Sequence, residues 1–181
     1  MENKKNYIKG MVFAALFAAL TAAVSPIKIP LGFTPVPITL QTLMVLLAGA
    51  LLGANLGALS QFLYVLVGAL GLPVFAGGGS GFGALFGPTG GYLFGFIAAA
   101  YAVGKLVEKT KKPSLVQIII AMVVGSLVIY VFGVTGAIVV TGRPLTEILI
   151  GWVLPFLIGD TVKLIAAALI ARKVDMSRYL Q

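Results

Sequence analysis

Long apolar segments constrain the fold of this chain more than any other feature. A helix needs about 20 largely apolar residues to cross the hydrocarbon core of a bilayer. Five segments suit this, at residues 8–24, 38–54, 56–71, 90–107 and 115–140. A sixth ends at residue 172 and begins either at 147 or at Pro155, since proline is tolerated at a first helical position. The sequence therefore predicts one all-α, integral membrane domain over residues 1–181 with six transmembrane helices.

The composition indicates that lipid surrounds most of the chain, and it limits the catalytic and metal-binding side chains available. Hydrophobic residues make up 60% of the chain and charged residues 10%, whereas soluble domains are about 25% charged. The chain has no cysteine or histidine and five carboxylates. This excludes thiol chemistry and removes the commonest catalytic base and metal ligand. We expect no enzyme activity, no metal site and no cofactor.

The net charge of +8 is distributed as in a membrane protein. Six helices place both termini, the 53–57 turn and the 105–113 loop on one side. That side would receive ten of the thirteen basic residues, whereas the other side has Lys28 and Arg143. Loops rich in lysine and arginine stay in the cytoplasm, so both termini are predicted to be cytoplasmic and no nucleic-acid partner is expected. The ten residues are Lys4, Lys5, Lys9, Lys105, Lys109, Lys111, Lys112, Arg172, Lys173 and Arg178.

The first apolar segment has an alternative interpretation as a signal peptide. It has a basic start, an apolar centre and small residues at Ala22, Ala23 and Ser25. The apolar run is long for a signal peptide, and its removal would leave five helices and disturb the charge pattern. A first transmembrane helix is the favoured interpretation.

The outer loops are too apolar to be expected in water. Residues 25–38 contain four prolines, and residues 71–91 are uncharged and rich in glycine. Irregular backbone near membrane depth is tolerated where it packs in protein or lines a cavity, so these loops are predicted to cap a ligand pocket. Flexible connection is the alternative. Gly79 and Phe82 are predicted ligand contacts, because glycine allows close backbone approach and aromatic rings would cover a ligand. The glycine run lacks the lysine of a phosphate-binding loop.

Two charged residues lie inside the last predicted helix. Asp160 and Lys163 are three positions apart and therefore share a helical face. Ionisable residues in membrane helices usually face a cavity or a partner, and we predict that this pair binds the ligand; an ion pair that only aids packing is the alternative. Gln41 and Tyr92 are expected at the same depth.

Small residues recur every four positions along the first helix. Ala14, Ala18 and Ala22 form one ridge, and a second ridge lies beside it at residues 15, 19 and 23. Such ridges allow another helix to approach closely. We predict a surface for a partner protein, with packing inside the chain as the alternative.

Three segments together resemble the BioY family, the biotin-specific S components of energy-coupling-factor (ECF) transporters. They are TPVPITLQTLMVLLAGALLG at 34–53, GLPVFAGGGSGFGALFGPTGGYLFGF at 71–96 and GWVLPFLIGDTVKLIAA at 151–167. The resemblance implies an S-component-like bundle of six helices that holds biotin beneath the outer loops. It also implies association with a transmembrane coupling subunit (T component) and two ATPase subunits. The family's polar positions are matched by Asp160, Lys163, Tyr92 and Gln41. The alanine ridge matches the small-residue motif by which such subunits contact the coupling subunit.

The chemistry of biotin suits these residues. Asp160 would accept a hydrogen bond from the ureido ring, while Lys163 would contact the ureido oxygen, hold the carboxylate or steady Asp160. Two other functions remain open: a self-sufficient secondary transporter or channel, which an inverted repeat would favour, and a membrane enzyme, which the missing residue types disfavour.

Overall fold

A computed structural model describes residues 2–110 and 112–174, with side chains from residue 6 onward. Predictions on Lys4, Lys5, Lys111 and Arg178 lie outside the described side chains. The helices are α1 (Glu2–Val24), α2 (Gln41–Ala69), α3 (Gly81–Leu85), α4 (Gly90–Val107), α5 (Leu115–Thr141), α6 (Leu145–Trp152) and α7 (Leu157–Lys173). Single 3-10 turns occupy Ala76–Gly78 and Leu154–Phe156, and the two-residue strands β1 (Lys28–Ile29) and β2 (Ile38–Thr39) pair antiparallel.

Helix α2 contains two legs of the bundle. Gly53, with φ 82° and ψ −177°, interrupts the helical backbone. Gln41 Nε2 lies 2.5 Å from the Tyr64 hydroxyl, whereas 23 residues of straight helix would separate them by about 35 Å. The chain therefore reverses at Gly53 into two antiparallel arms, residues 41–52 and 54–69.

Five helical stretches are long and apolar enough to cross a membrane: residues 6–24, 41–69, 90–107, 115–141 and 145–173. Because the second of these folds back on itself, the described chain forms a bundle of six helical legs. The predicted all-α membrane architecture is confirmed. The outside of the bundle is apolar, with Ile158 and Val139 81% and 78% exposed, as a lipid-facing surface requires.

Two helices begin later than predicted, because the residues before them form other structure. The first arm of α2 begins at Gln41 rather than at residue 38, because Ile38 and Thr39 pair with β1. The final helix begins at Leu157, after the 3-10 turn that contains Pro155, and the preceding residues form the separate helix α6. Helix α5 is continuous through Gly133 and Gly136.

Those glycines serve close packing instead. A Cβ at Gly136 would lie 2.8 Å from the Gly91 Cα, and a Cβ at Gly133 would overlap the Tyr92 ring. Helices α4 and α5 therefore touch at backbone distance near their outer ends. This approach fixes the position of Tyr92.

The reversal at Gly53 is stabilised by Glu108, which follows helix α4. Glu108 Oε1 accepts a hydrogen bond of 2.8 Å from the Ala54 backbone N–H. Ala54 begins the second arm of α2, where N–H groups have no partner within the helix and the helix dipole favours an anion. The carboxylate thus ties the end of α4 to the turn.

The alanine ridges of α1 lie differently from the prediction. Ala14 is wholly buried, and Ala18 and Ala22 are half-buried against the core. The ridge at residues 15, 19 and 23 is exposed. Ala14 packs inside the chain and is therefore corrected as a partner contact. Ala18 and Ala22 stay predicted contacts, and the neighbouring ridge is open to a partner.

Candidate ligand-binding site

A cavity of about 130 Å³ lies between the outer ends of the helices. Its walls come from the loop before α2, the glycine-rich loop, and helices α2, α4, α5 and α7. The outer loops therefore cap a pocket, as predicted. The lining residues are Val36, Pro37, Ile38, Thr39, Gln41, Thr42, Phe75, Ala76, Gly79, Ala84, Thr89, Tyr92, Leu93, Phe96, Ile129, Tyr130, Trp152, Phe156, Asp160 and Lys163.

The charged pair of α7 forms one wall of this cavity. Asp160 and Lys163 make a salt bridge, and their side chains are 15% and 11% exposed. Lys163 Nζ also donates to the Thr39 carbonyl and to Thr42 Oγ1, each at 2.9 Å. These three acceptors match the three N–H donors of an ammonium, so Lys163 is satisfied within the protein.

Asp160 keeps capacity for a further hydrogen bond. Its Oδ1 accepts from Lys163 and, at 3.4 Å, from Thr42, while its Oδ2 accepts from the Tyr130 hydroxyl. A carboxylate has about four acceptor positions. The three protein donors therefore leave room for one donor from a ligand.

Gln41 belongs to a second polar group at the cavity wall. Its Oε1 accepts from Thr39 Oγ1 at 3.0 Å, and its Nε2 donates to the Tyr64 hydroxyl. Tyr64 is itself 3.4 Å from Ser25 Oγ at the end of α1. Gln41 retains one N–H and one acceptor position for a ligand.

Tyr92 lines the cavity from α4. Its hydroxyl donates to the Trp152 carbonyl at 3.0 Å, which joins α4 to the end of α6. Trp152 is 3% exposed and also lines the cavity. The two aromatic side chains contribute an apolar part of the cavity wall.

The glycine-rich loop supplies the cover. Gly79 lines the cavity, and its carbonyl accepts from the Phe75 N–H at 2.9 Å. Phe75 is buried and packs edge-on against Tyr64, with ring centroids 5.7 Å apart. Phe82 lies elsewhere: it is 62% exposed, is absent from the cavity lining and stacks on Phe86.

Sequence reasoning missed Tyr130, Thr42 and Trp152 as site residues. Tyr130 lies in the middle of an apolar helix, and its partner Asp160 is 30 residues away. A polar residue inside a predicted membrane helix was the available signal for both Tyr130 and Thr42. Trp152 resembled an interfacial aromatic.

The site is suited to binding rather than to bond-making. It has fixed donors and acceptors at one end and aromatic and aliphatic walls elsewhere, which is typical of a small-molecule pocket. Its carboxylate is neutralised by an adjacent ammonium and held by hydrogen bonds. Such a site recognises a compact molecule with a polar head and an apolar body.

Comparison with known proteins agrees with this geometry. The BioY family profile matches residues 1–179. The chain is 42% identical to a biotin transporter BioY of Thermotoga maritima, covering 94% of this chain and 100% of that one. It is 40% identical to a biotin transporter BioY of Rhizobium etli, covering 92% of each chain.

A solved structure shares the fold over the whole length. It is the crystal structure of the S-component for biotin from an ECF-type ABC transporter, and it superposes with a TM-score of 0.87 at 28% identity, covering 100% of this chain and 99% of that one. Fold, cavity and sequence lead to one conclusion: the chain is a member of the BioY family.

Proposed function

We propose that this chain is the biotin-binding subunit of an ECF-type uptake transporter and has no catalytic activity. It captures biotin on the outer side of the cell membrane and delivers it with partner subunits. The observation that carries this proposal is the Asp160–Lys163 pair, which lies beneath the outer loops at the wall of a mostly apolar cavity. Family membership supplies the identity of the ligand.

The polar wall complements the ureido ring of biotin. That ring has two N–H donors and a carbonyl acceptor, while Asp160 and Gln41 each keep an acceptor position and Gln41 keeps a donor. In the structure Lys163 already has three acceptors, which supports its role in steadying Asp160. Leaving a buried polar group without its partner costs about 1–3 kcal/mol, so the site would reject analogues that lack the ureido group.

The proposed orientation of the chain in the membrane rests on the charges at the two ends of the bundle. Lys105, Lys109, Arg172 and Lys173 lie at the end opposite the cavity, whereas Lys28 and Arg143 lie at the cavity end. The positive-inside rule supports cytoplasmic termini and an extracellular cavity.

Partner subunits complete the transporter in this proposal. A transmembrane coupling subunit would dock in the membrane plane, and two ATPase subunits would supply the energy. The exposed alanine ridge of α1 supports a docking surface, because small side chains let a partner helix approach closely.

Mass spectrometry of the purified protein tests the proposed ligand. The protein would be incubated with biotin, washed, and denatured to release bound small molecules. We expect biotin in an amount close to that of the protein. Release of a different compound, or retention of no biotin by folded protein, would contradict the proposal.

A further inference from the structure

An outer pocket of about 430 Å³ lies beside the cavity and opens to the surface. It is formed by the proline-rich loop before α2, the end of the glycine-rich loop, the segment after α5 and the end of α6. Its lining residues are Gly32, Phe33, Thr34, Pro35, Pro88, Thr141, Arg143 and Trp152.

The outer pocket continues the cavity along three chain segments. Pro35 lines the outer pocket and Val36, the next residue, lines the cavity. Likewise, Pro88 lines the outer pocket and Thr89 lines the cavity. Trp152 lines both spaces. The two spaces therefore adjoin, with Trp152 between them.

Arg143 gives the outer pocket its charge. Among the lining residues, all within the described part of the chain, Arg143 alone is ionisable. It follows Gly142, whose φ of 67° ends α5 and turns the chain toward the pocket. Its Nη1 pairs with Glu147, and the two side chains are 53% and 49% exposed. A guanidinium has five N–H donors, so most remain for an additional anion.

We propose that Arg143 is a specificity-determining residue that binds the carboxylate of the ligand. The inference rests on the proposed function: with the ureido ring at Asp160, the valeryl chain of biotin would run past Trp152 and place its carboxylate in the outer pocket. A carboxyl group is ionised at neutral pH, and arginine can hold a carboxylate with two parallel hydrogen bonds. Glu147 competes for the same guanidinium and so limits the affinity.

Binding of biotin and of its uncharged amide to variants tests this assignment. For Arg143→Gln we expect biotin affinity to fall about tenfold, equivalent to about 1.4 kcal/mol, while affinity for the amide stays unchanged. Glu147→Gln should strengthen biotin binding, because the competing carboxylate is removed. Lys28→Gln is the matched control, since it removes the same charge from the same end of the molecule, and it should bind both ligands like the unmodified protein.

Other outcomes would overturn the assignment. Unchanged biotin affinity in Arg143→Gln would remove Arg143 from the site. Equal loss of both ligands would make its role structural, and an equal effect of Lys28→Gln would reduce it to general attraction of anions. Failure of the unmodified protein to bind either ligand would instead contradict the proposed function.

Discussion

The Asp160 carboxylate is held by donors from three different helices. Thr42 belongs to α2, Tyr130 to α5, and Lys163 to the same helix as Asp160. Burying a charge is costly unless its partners are well placed. These donors hold the carboxylate in one position, so a ligand meets an acceptor that needs no rearrangement.

Asp160→Asn should weaken biotin binding by about 1.5–3 kcal/mol, the range for a hydrogen bond to a charged group. The amide keeps the size of the side chain but removes the negative charge beside Lys163. Calorimetric titration of the purified variant with biotin measures the change. Thr161→Ala, at an exposed position of the same helix, is the control and should bind normally. Unchanged affinity in folded Asp160→Asn would limit Asp160 to a structural role.

Sequence alone could identify the charged half of this site but not its partners. Asp160 and Lys163 were evident because ionisable residues are rare inside membrane helices. The contacts with Tyr130 and Thr42 join positions 30 and 118 residues apart, and no spacing rule relates them. Phe82 was predicted from its residue type, although the direction of an aromatic ring in a loop depends on the backbone around it.

Helix α1 presents two alanine ridges with different surroundings. The sequence prediction placed the partner surface on Ala14, Ala18 and Ala22. Ala14 is wholly buried, and van der Waals packing inside the chain already uses it. The helical period identified both ridges, but which of them faces the core depends on how α1 rotates against α2.

Two tryptophan variants one residue apart separate packing from docking. Ala14→Trp should lower both biotin binding and uptake, because an indole cannot fit in a filled core. Ala15→Trp should keep binding and impair uptake, because Ala15 is exposed and an indole there would block a partner helix. Both activities would be measured on each variant. Full uptake by Ala15→Trp would remove the exposed ridge from the docking surface.

The glycine-rich loop has the contacts of a cover over the cavity. Phe75 is buried beneath it, and the Gly77 N–H donates to the Ser25 carbonyl at 3.3 Å. Gly77, Gly78 and Gly81 have positive φ values of 70°, 82° and 79°, a backbone region that favours glycine. The loop therefore joins the end of α1 to the cavity roof.

Biotin should slow hydrogen exchange in residues 75–89. A ligand beneath the loop would stabilise its closed arrangement and reduce the local opening that permits exchange. Mass spectrometry of peptides from free and biotin-saturated protein provides the measurement. Residues 108–110, at the opposite end of the bundle, serve as the internal reference and should exchange equally in both states. Equal exchange in the loop would contradict its function as a lid.

The arrangement of helices was largely predictable from the apolar segments and basic clusters. The reversal at Gly53 falls in the turn that the sequence predicted at residues 53–57. The separation of α6 from α7 was not resolved, since Leu145–Lys173 is apolar enough on average to be a single membrane span. Hydropathy indicates which segments can contact lipid, but it does not indicate where a helix breaks. Here the break is the 3-10 turn that contains Pro155 and follows Trp152.

At the scale of the whole molecule, the cavity and the basic end of the bundle lie far apart. The cavity occupies one end, while the turn at Gly53 and the segment from Glu108 to Ser114 occupy the other. The described chain contains no group of three or more metal-binding side chains, and its glycine run has no phosphate-binding lysine. In the proposed function, this chain binds biotin and partner subunits supply the energy for uptake.

Titration of the purified chain with biotin, in the absence of any partner subunit, tests whether this chain alone binds the vitamin. We expect saturable binding of one biotin per chain in calorimetry. Thiamine, a vitamin without a ureido ring, should give no saturable heat under the same conditions. Failure of folded, monodisperse protein to bind biotin would contradict the proposed function. Equal binding of thiamine would contradict it as well.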